Sequence, residues 1–236
     1  MNSLLRPIKN SPVLARVAPF AFFLVLTFAQ DFFGAGGRYW LYLAKTILGA
    51  WMIWAVRPVV AEMRWKLSWA AVLVGVAVFV LWVGLDGHYP PLNELLQQIG
   101  LGGKKSDPVA AAWNPHTQYG TGSALAWLFI GTRLVGSALI VPPLEEVFFR
   151  SFVYRSIARA DFLSVPLGAF LWMPFLVTAL LFGFEHHQWL AGILCGFAYQ
   201  GLVIWKQRLG DAITAHAITN FLLGVWVVWK GAWQFW

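Results

Sequence analysis

The chain has 236 residues, of which 59% are hydrophobic and 11% are charged, and its mean hydropathy is +0.65. An average soluble domain carries about 25% charged residues, so this composition excludes an ordinary soluble protein and indicates an integral membrane protein. The formal net charge of +7 fits basic loops facing an anionic membrane surface. Because no basic run is long enough to follow a phosphate backbone, we expect membrane lipid, and no nucleic acid, as a partner.

The sequence gives no sign of a second domain or of a disulfide. Cys195 is the single cysteine, which excludes an internal disulfide, and the lack of paired Cys and His spacing argues against a structural zinc site. No linker or change in charge separates two cores. We therefore expect one integral membrane domain over residues 1–236.

Apolar stretches recur along the chain with lengths near the ~20 residues that a helix needs to cross the hydrocarbon core. All should be helical, because an open strand edge cannot be satisfied in lipid. A further amphipathic helix is predicted over 145–159, at the interface or dipping into the bundle. The expected fold class is all-α, a polytopic transmembrane bundle of about seven to eight helices. We predict spans at 17–34, 39–56, 68–85, 123–141, 164–184, 189–205 and 211–229.

Basic residues set the expected topology. A basic segment precedes the first apolar run, as in a signal peptide, but many spans follow, so we expect an uncleaved first helix. The basic segments at 6–16, 57–66, 150–159 and 206–208 share one side if the amino terminus is cytoplasmic. Residues 86–122 would then form an extramembrane loop on the other side, with a short interfacial helix within 92–99.

The first polar cluster in this apolar chain follows Pro142 and Pro143, which suit the first turn of a helix. Glu146 and Arg150 are four positions apart and can pair on one helix face, which leaves Glu145 as the freer carboxylate. The dipole at a helix start and burial in a bundle act oppositely on a carboxylate, which suits a general base. The alternative is that these charges only cap and solvate an interfacial helix.

The second cluster, at 182–187, ends a long apolar stretch. Its residues Glu185, His186 and His187 could be general bases, metal ligands or the wet edge of a helix. The pattern fits neither zincin motif, because Phe182 stands where the first histidine would be needed.

The third cluster lies inside the final span. His216 and Asn220 are one helical turn apart and project from the same face. Two polar side chains in a span should face the bundle interior and not lipid. A hydrogen bond between helices is the structural alternative for this pair.

Together the clusters supply what water needs to attack an amide: a carboxylate to deprotonate it, an imidazole to orient it and donors for the oxyanion. No serine or cysteine in them is placed as a nucleophile, so a covalent mechanism is disfavoured. The predicted spans, however, put His186 at the opposite side from Glu145 and His216. Convergence requires a boundary error or a helix that dips and returns.

These motifs resemble the CPBP intramembrane proteases, also called the CAAX protease or Abi family. The family's Glu-Glu-x-x-x-Arg, Phe-x-x-x-His and His-x-x-x-Asn motifs stand here in order, within about residues 124–230. The resemblance implies a helix bundle with a polar, water-filled catalytic cavity. It also implies that Glu145 is the general base acting with His186, while His216 and Asn220 form the oxyanion site.

The resemblance also assigns supporting residues and bears on cofactors. Glu146 and Arg150 carry over as motif residues with a structural part, whereas His187 has no counterpart and could replace His186 in another register. The family was long described as metal-dependent, and Glu and His ligands would suit zinc. We favour a glutamate-type endopeptidase without a cofactor, with zinc as the alternative.

The flanks of the first motif resemble the bacterial CAAX-protease-related branch associated with exosortase systems. This narrower resemblance implies a location in the bacterial inner membrane, a peptide or protein substrate, and exosortase-type sorting machinery as a partner.

Two other functions stay open at this point. One is a catalytically silent immunity or scaffold protein of the same family. The other is a small proton-coupled transporter that uses Glu145, His186 and His216 as an ion path. The sequence shows no inverted repeat of the kind that would support a transporter.

Overall fold

The computed structural model describes residues 2–98, 100 and 112–236, and within this part of the chain it contains ten α-helices and no strand. The all-α fold expected from the composition is confirmed. We number the helices in chain order: α1 (Asn2–Asn10), α2 (Pro12–Ala29), α3 (Gly34–Val56), α4 (Trp69–Gly84), α5 (Leu92–Gln98), α6 (Pro115–Tyr119), α7 (Ala124–Ala158), α8 (Trp172–Phe184), α9 (Trp189–Lys206) and α10 (Gly210–Lys230).

Five of these helices, namely α2, α3, α7, α9 and α10, are long and apolar enough to cross a membrane. Two more, α4 with 16 residues and α8 with 13, are apolar but shorter. The predicted polytopic bundle is thus confirmed, although its helices differ in length more than the sequence indicated. These helices are those of an integral membrane protein.

The prediction of a separate helix over 145–159 is wrong, because α7 runs without a break for 35 residues. Pro142 and Pro143 lie inside it and do not begin a helix. They follow a π-helical turn, Gly136–Ile140, in which the amide of Val141 bonds the carbonyl of Gly136, five residues back. A proline ring clashes with the carbonyl four residues before it, and the wider turn relieves this clash.

The predicted span 164–184 is also wrong at its start, because α8 begins only at Trp172. Phe162–Ser164 forms a single 3₁₀ turn, and Pro166 and Gly168 follow it, which disfavours a helix there. At about 1.5 Å per residue α8 is about 20 Å long, well short of the ~30 Å hydrocarbon core. Its carboxyl-terminal end can therefore lie beside the middle of α10, which removes the conflict over His186.

The predicted loop 86–122 contains two short helices, α5 and α6. Helix α5 agrees with the short helix expected within 92–99. Residues 99 and 101–111 of this loop lie outside the described residues, so the loop as a whole stays a prediction.

An ion-pair network joins α2, the segment after α3, and α7 at one end of the bundle. Oε1 of Glu62 lies 2.8 Å from Nη2 of Arg16 and 3.0 Å from Nη2 of Arg155, and the hydroxyl of Ser151 donates to the same atom. Arg155 is buried, unlike the interfacial position expected from the sequence. Burial alone would raise the pKa of Glu62, but these hydrogen bonds from Arg16 and Ser151 hold it below its usual value.

Close glycine contacts set the positions of the helices around the site. A methyl group on Gly75 of α4 would stand 2.6 Å from the carbonyl oxygen of Ala215 on α10. One on Gly183 of α8 would stand 2.8 Å from the carbonyl oxygen of Trp189 on α9. Small residues of this kind let helix backbones approach closely in membranes. They join α10, which carries the third polar cluster, to α4, and α8, at whose end the second cluster lies, to α9.

Candidate active site

A cavity of about 790 Å³ lies among the helices and is lined by residues from all three polar clusters. Glu145 comes from α7, His186 and His187 from the turn after α8, and His216 and Asn220 from α10. Residues about 70 positions apart in the chain thus share one polar space. Glu146 and Arg150 are not in its wall; they are fully buried behind it, with 0% and 1% exposure.

Glu145 and His216 face each other in this cavity. Oε2 of Glu145 lies 3.9 Å from Nε2 of His216, which is longer than a hydrogen bond. This oxygen is buried and has no hydrogen-bond partner among the described residues. A buried carboxylate oxygen without a partner is costly, so its retention points to a function.

The imidazole of His216 is fixed from its other side by the neighbouring glutamate. Its Nδ1 lies 2.9 Å from Oε1 of Glu146, whose second oxygen lies 3.2 Å from Nε of Arg150. An ionised carboxylate only accepts hydrogen bonds, so Nδ1 carries the proton and Nε2 is the atom presented to Glu145. The ring of Tyr199 stacks on the imidazole at 5.1 Å between centroids.

Arg150 is held at the back of the site by aromatic rings as well as by Glu146. Its guanidinium carbon lies 4.1 Å from the centroid of Phe182, the first residue of the second motif. Phe182 in turn contacts the rings of His186 and His216 at 4.8 and 6.0 Å. One residue from each of the three motifs thus contacts Phe182.

His186 caps the end of α8 with its own ring. Nδ1 lies 2.8 Å from the carbonyl oxygen of Phe182, one turn earlier, so Nδ1 is the donor and Nε2 of the neutral ring is an acceptor. The ring also contacts Trp82 of α4 at 5.3 Å. His187 lines the cavity beside it and is more exposed. Both histidines therefore remain candidates, and His186 is the one with a fixed orientation.

Asn220 makes a hydrogen bond to another helix. From the sequence alone, such a bond is the alternative to a catalytic role for this residue. Its Nδ2 donates to the carbonyl oxygen of Ser137 on α7 at 2.9 Å. That carbonyl loses its usual partners, because the amide of Val141 bonds Gly136 and Pro142 has no amide hydrogen. The side-chain amide has a second hydrogen, so this contact does not use its full donor capacity.

The cavity also contains residues that the motifs did not single out. Glu185 lines it next to His186, and its place in the second cluster was the only signal for it. Tyr199 stacks on His216 and donates from its hydroxyl to Oγ1 of Thr219 at 2.7 Å. No pattern in the sequence marks Tyr199, because it lies on α9, which carries none of the motifs.

The described residues of the site contain no ready three-ligand set for a metal ion. Within the described ranges, no group of three or more His, Cys, Asp or Glu side chains is arranged to hold a metal ion. Nδ1 of His186 bonds a carbonyl and Nδ1 of His216 bonds a carboxylate, so only Nε2 of each ring is left as a possible metal ligand. We therefore derive no step of the reaction through a metal.

Comparison with known proteins identifies a similar family. Residues 126–222 match the family model described as type II CAAX prenyl endopeptidase Rce1-like. No curated protein matches the chain. No solved structure matches it. The matched segment contains all three polar motifs and every residue placed in the site above, except Trp82 of α4. This match, which covers less than half of the chain, supports the CPBP, or CAAX protease, family for residues 126–222.

Proposed function

We propose that this protein is an intramembrane endopeptidase that hydrolyses a peptide bond with water activated by Glu145. The observation that carries the proposal is the pair formed by Oε2 of Glu145 and Nε2 of His216, 3.9 Å apart on the cavity wall. A water molecule beside these atoms could bond to both. Membership of residues 126–222 in a protease family supports the same reaction.

In the proposed reaction, Glu145 takes one proton from water while the water oxygen attacks the carbonyl carbon of the substrate. Nε2 of His186, an acceptor in the neutral ring, holds the second hydrogen of the water. The substrate carbonyl oxygen becomes an oxyanion. Glu145 then returns its proton to the amide nitrogen as the carbon–nitrogen bond breaks, which releases a carboxylic acid and an amine.

The oxyanion needs donors in the cavity. Protonated His216 supplies Nε2–H, and Asn220 supplies the amide hydrogen that the Ser137 carbonyl does not use. Glu146 orients this imidazole, because its carboxylate accepts from Nδ1. In this account His216 contacts the reacting oxygen, and Glu146 with Arg150 positions His216.

The substrate and the cellular setting are further parts of the proposal. The description of the matched family names a prenyl endopeptidase, so a peptide with a prenylated cysteine should be tested beside an unmodified one. We propose an inner-membrane location with a cytoplasmic amino terminus, and an exosortase-type sorting system as a source of protein substrates. We also propose that no cofactor is needed.

The proposal is tested by comparing peptide ends in membranes. The protein and its Glu145→Gln variant are expressed at equal levels in a bacterial host, and new protein termini in the membrane fraction are identified by mass spectrometry. We expect a set of termini that depends on the wild-type protein and is lost in Glu145→Gln. Glu94→Gln, which changes an exposed acid outside the site, should leave the set intact. Termini that persist in Glu145→Gln would contradict the assignment of the base.

A further inference from the structure

The cavity has a second polar region, which consists of basic side chains. Lys45 on α3 and Arg133 on α7 line the same cavity as Glu145. Both sit on helices long enough to cross a membrane, and Lys45 is only 3% exposed. Ionisable groups inside a membrane protein are expensive to keep and mark ligand or ion sites by default.

Aromatic rings surround these cations without neutralising them. The ring centroid of Tyr42 lies 4.5 Å from Nζ of Lys45 and 4.9 Å from the guanidinium carbon of Arg133. Lys45 also donates to Oγ1 of Thr27 at 2.8 Å, and Arg133 lies 4.6 Å from the ring of Trp113. Such contacts hold a cation in place but leave its charge available to an anion.

Neither cation has an acidic partner in the part of the chain that the structure describes. The ion pairs there join other residues, and none involves Lys45 or Arg133. By contrast, the buried residues Arg16, Arg150 and Arg155 each pair with a glutamate. Lys45 is buried and Arg133 is partly buried, and both stand on the wall of the cavity without an acidic partner among the described residues. This is the arrangement expected of an anion site.

The distance to the candidate base can be read from α7. Arg133 and Glu145 are twelve positions apart on this helix, or about 18 Å at 1.5 Å per residue. An extended peptide covers about 3.3 Å per residue, so about five residues span this distance. A peptide whose scissile bond lies at Glu145 can therefore place a group five residues away at Arg133.

We propose that Arg133 and Lys45 form a subsite that binds a carboxylate of the peptide substrate, about five residues from the bond that is cleaved. The fork of an arginine matches a carboxylate in shape, and the lysine adds a second donor. A peptide is favoured over a lipid headgroup because one cavity joins these cations to Glu145 and His216. This inference rests on the proposed function, since it concerns the substrate of the same site.

Binding is measured on the purified full-length Glu145→Gln protein in uncharged detergent, so that no probe is cleaved. The probes are dansyl-labelled hexapeptides of alternating alanine and leucine, with a free terminal carboxylate, with a terminal amide, or with an amidated terminal aspartate. We expect the amide to bind at least tenfold more weakly than the free acid. Recovery of affinity with the aspartate would show that a side-chain carboxylate serves as well as a terminal one. Tighter binding of the free acid than of the amide supports the subsite in either case.

Variants locate the effect. In the same background, Arg133→Gln and Lys45→Met should each weaken binding of the acid about tenfold and leave the amide unchanged, whereas Arg133→Lys should retain part of the affinity. Arg159→Gln and Lys66→Met remove exposed charges elsewhere and should change neither. Equal binding of acid and amide, or a loss that Arg159→Gln reproduces, would overturn the subsite.

Two further measurements separate this inference from the function on which it rests. If the wild-type protein cleaves no peptide, but acid binds better than amide through Arg133, the subsite stands and the protease assignment fails. If peptides are cleaved but binding ignores their carboxylate, the subsite fails and the protease assignment stands. Displacement of the acid probe by phosphatidylglycerol, with no preference for acid over amide, would assign the cations to lipid and overturn the proposal.

Discussion

Nδ1 of His216 lies 2.9 Å from Oε1 of Glu146, and this contact separates the roles of two adjacent glutamates. Glu146 is turned away from the cavity toward His216 and Arg150, while Glu145 faces the cavity with an oxygen that has no partner among the described residues. Adjacent helical positions point about 100 degrees apart, which makes this division necessary. The sequence pairs Glu146 with Arg150, and the structure adds His216 to that pair.

Glu146→Gln should lower the rate of cleavage about 100-fold through kcat, with KM little changed. The amide keeps a hydrogen-bond acceptor for His216 but removes the negative charge beside its ring. Kinetics on a peptide identified from the membrane comparison would measure this. Glu146→Asp should recover part of the rate. An equal loss in both variants, accompanied by a fall in thermal stability, would mean that Glu146 is only structural.

Removal of metal should leave activity unchanged. No three His, Cys, Asp or Glu side chains in the described part of the chain are arranged to hold a metal ion. Purified protein treated with a chelator should retain its full rate, and elemental analysis should find less than one zinc per chain. Stoichiometric zinc that disappears in a His186→Ala, His216→Ala double variant would contradict the metal-free mechanism.

Gly183→Ala should displace the end of α8 and with it His186. The added methyl would stand 2.7 Å from the amide nitrogen of Ile193 and 2.8 Å from the carbonyl oxygen of Trp189, and backbone atoms cannot move aside cheaply. We expect an apparent melting temperature lower by about 5 °C or more, with reduced activity. Gly201→Ala on the same pair of helices meets nothing within 4 Å and is the matched control.

The stability of the bundle should depend on pH through Glu62, which lies between α3 and α4. Its carboxylate joins Arg16 and Arg155, and these contacts lower its pKa in the folded protein. A lowered folded pKa means that its contribution is complete above the unfolded value and is lost as pH falls through the folded one. Glu62→Gln should therefore reduce the melting temperature at pH 7 by about 5–10 °C, because two arginines lose their partner.

The same comparison at lower pH checks the sign. The difference in melting temperature between wild type and Glu62→Gln should shrink as pH falls below about 4. Glu94→Gln provides the baseline for an exposed acid. A difference that is unchanged down to pH 3 would show that the charge of Glu62 is not the cause.

The sequence predicts the fold class well, because apolar length alone identifies helices that span a membrane. It fails at helix boundaries and near prolines. The boundary of α8 depends on a turn that holds Pro166, and the continuity of α7 depends on π-helical turns that accept Pro142 and Pro143. Hydropathy does not take either effect into account. The sequence therefore predicts two helices where α7 is continuous, and a longer α8 than the structure has.

For the site, short motifs on separate helices predict which residues are polar and on which face they lie. They cannot predict partners from other helices. Asn220 bonds the Ser137 carbonyl, which the π-helical turn and Pro142 leave without its usual partner in α7. Tyr199 carries no motif and is brought onto His216 by the packing of α9 on α10. Such contacts require the tertiary structure.

The central claim is that Glu145 is the base that activates water. The direct test is the cleavage rate of the purified protein and its Glu145→Gln variant on the same peptide, with thermal stability measured in parallel. We predict a loss of at least about 1,000-fold with an unchanged melting temperature, and a smaller loss in Glu185→Gln, the other acid in the cavity. A Glu145→Gln protein that cleaves at the wild-type rate, or a total loss only in Glu185→Gln, would contradict the account.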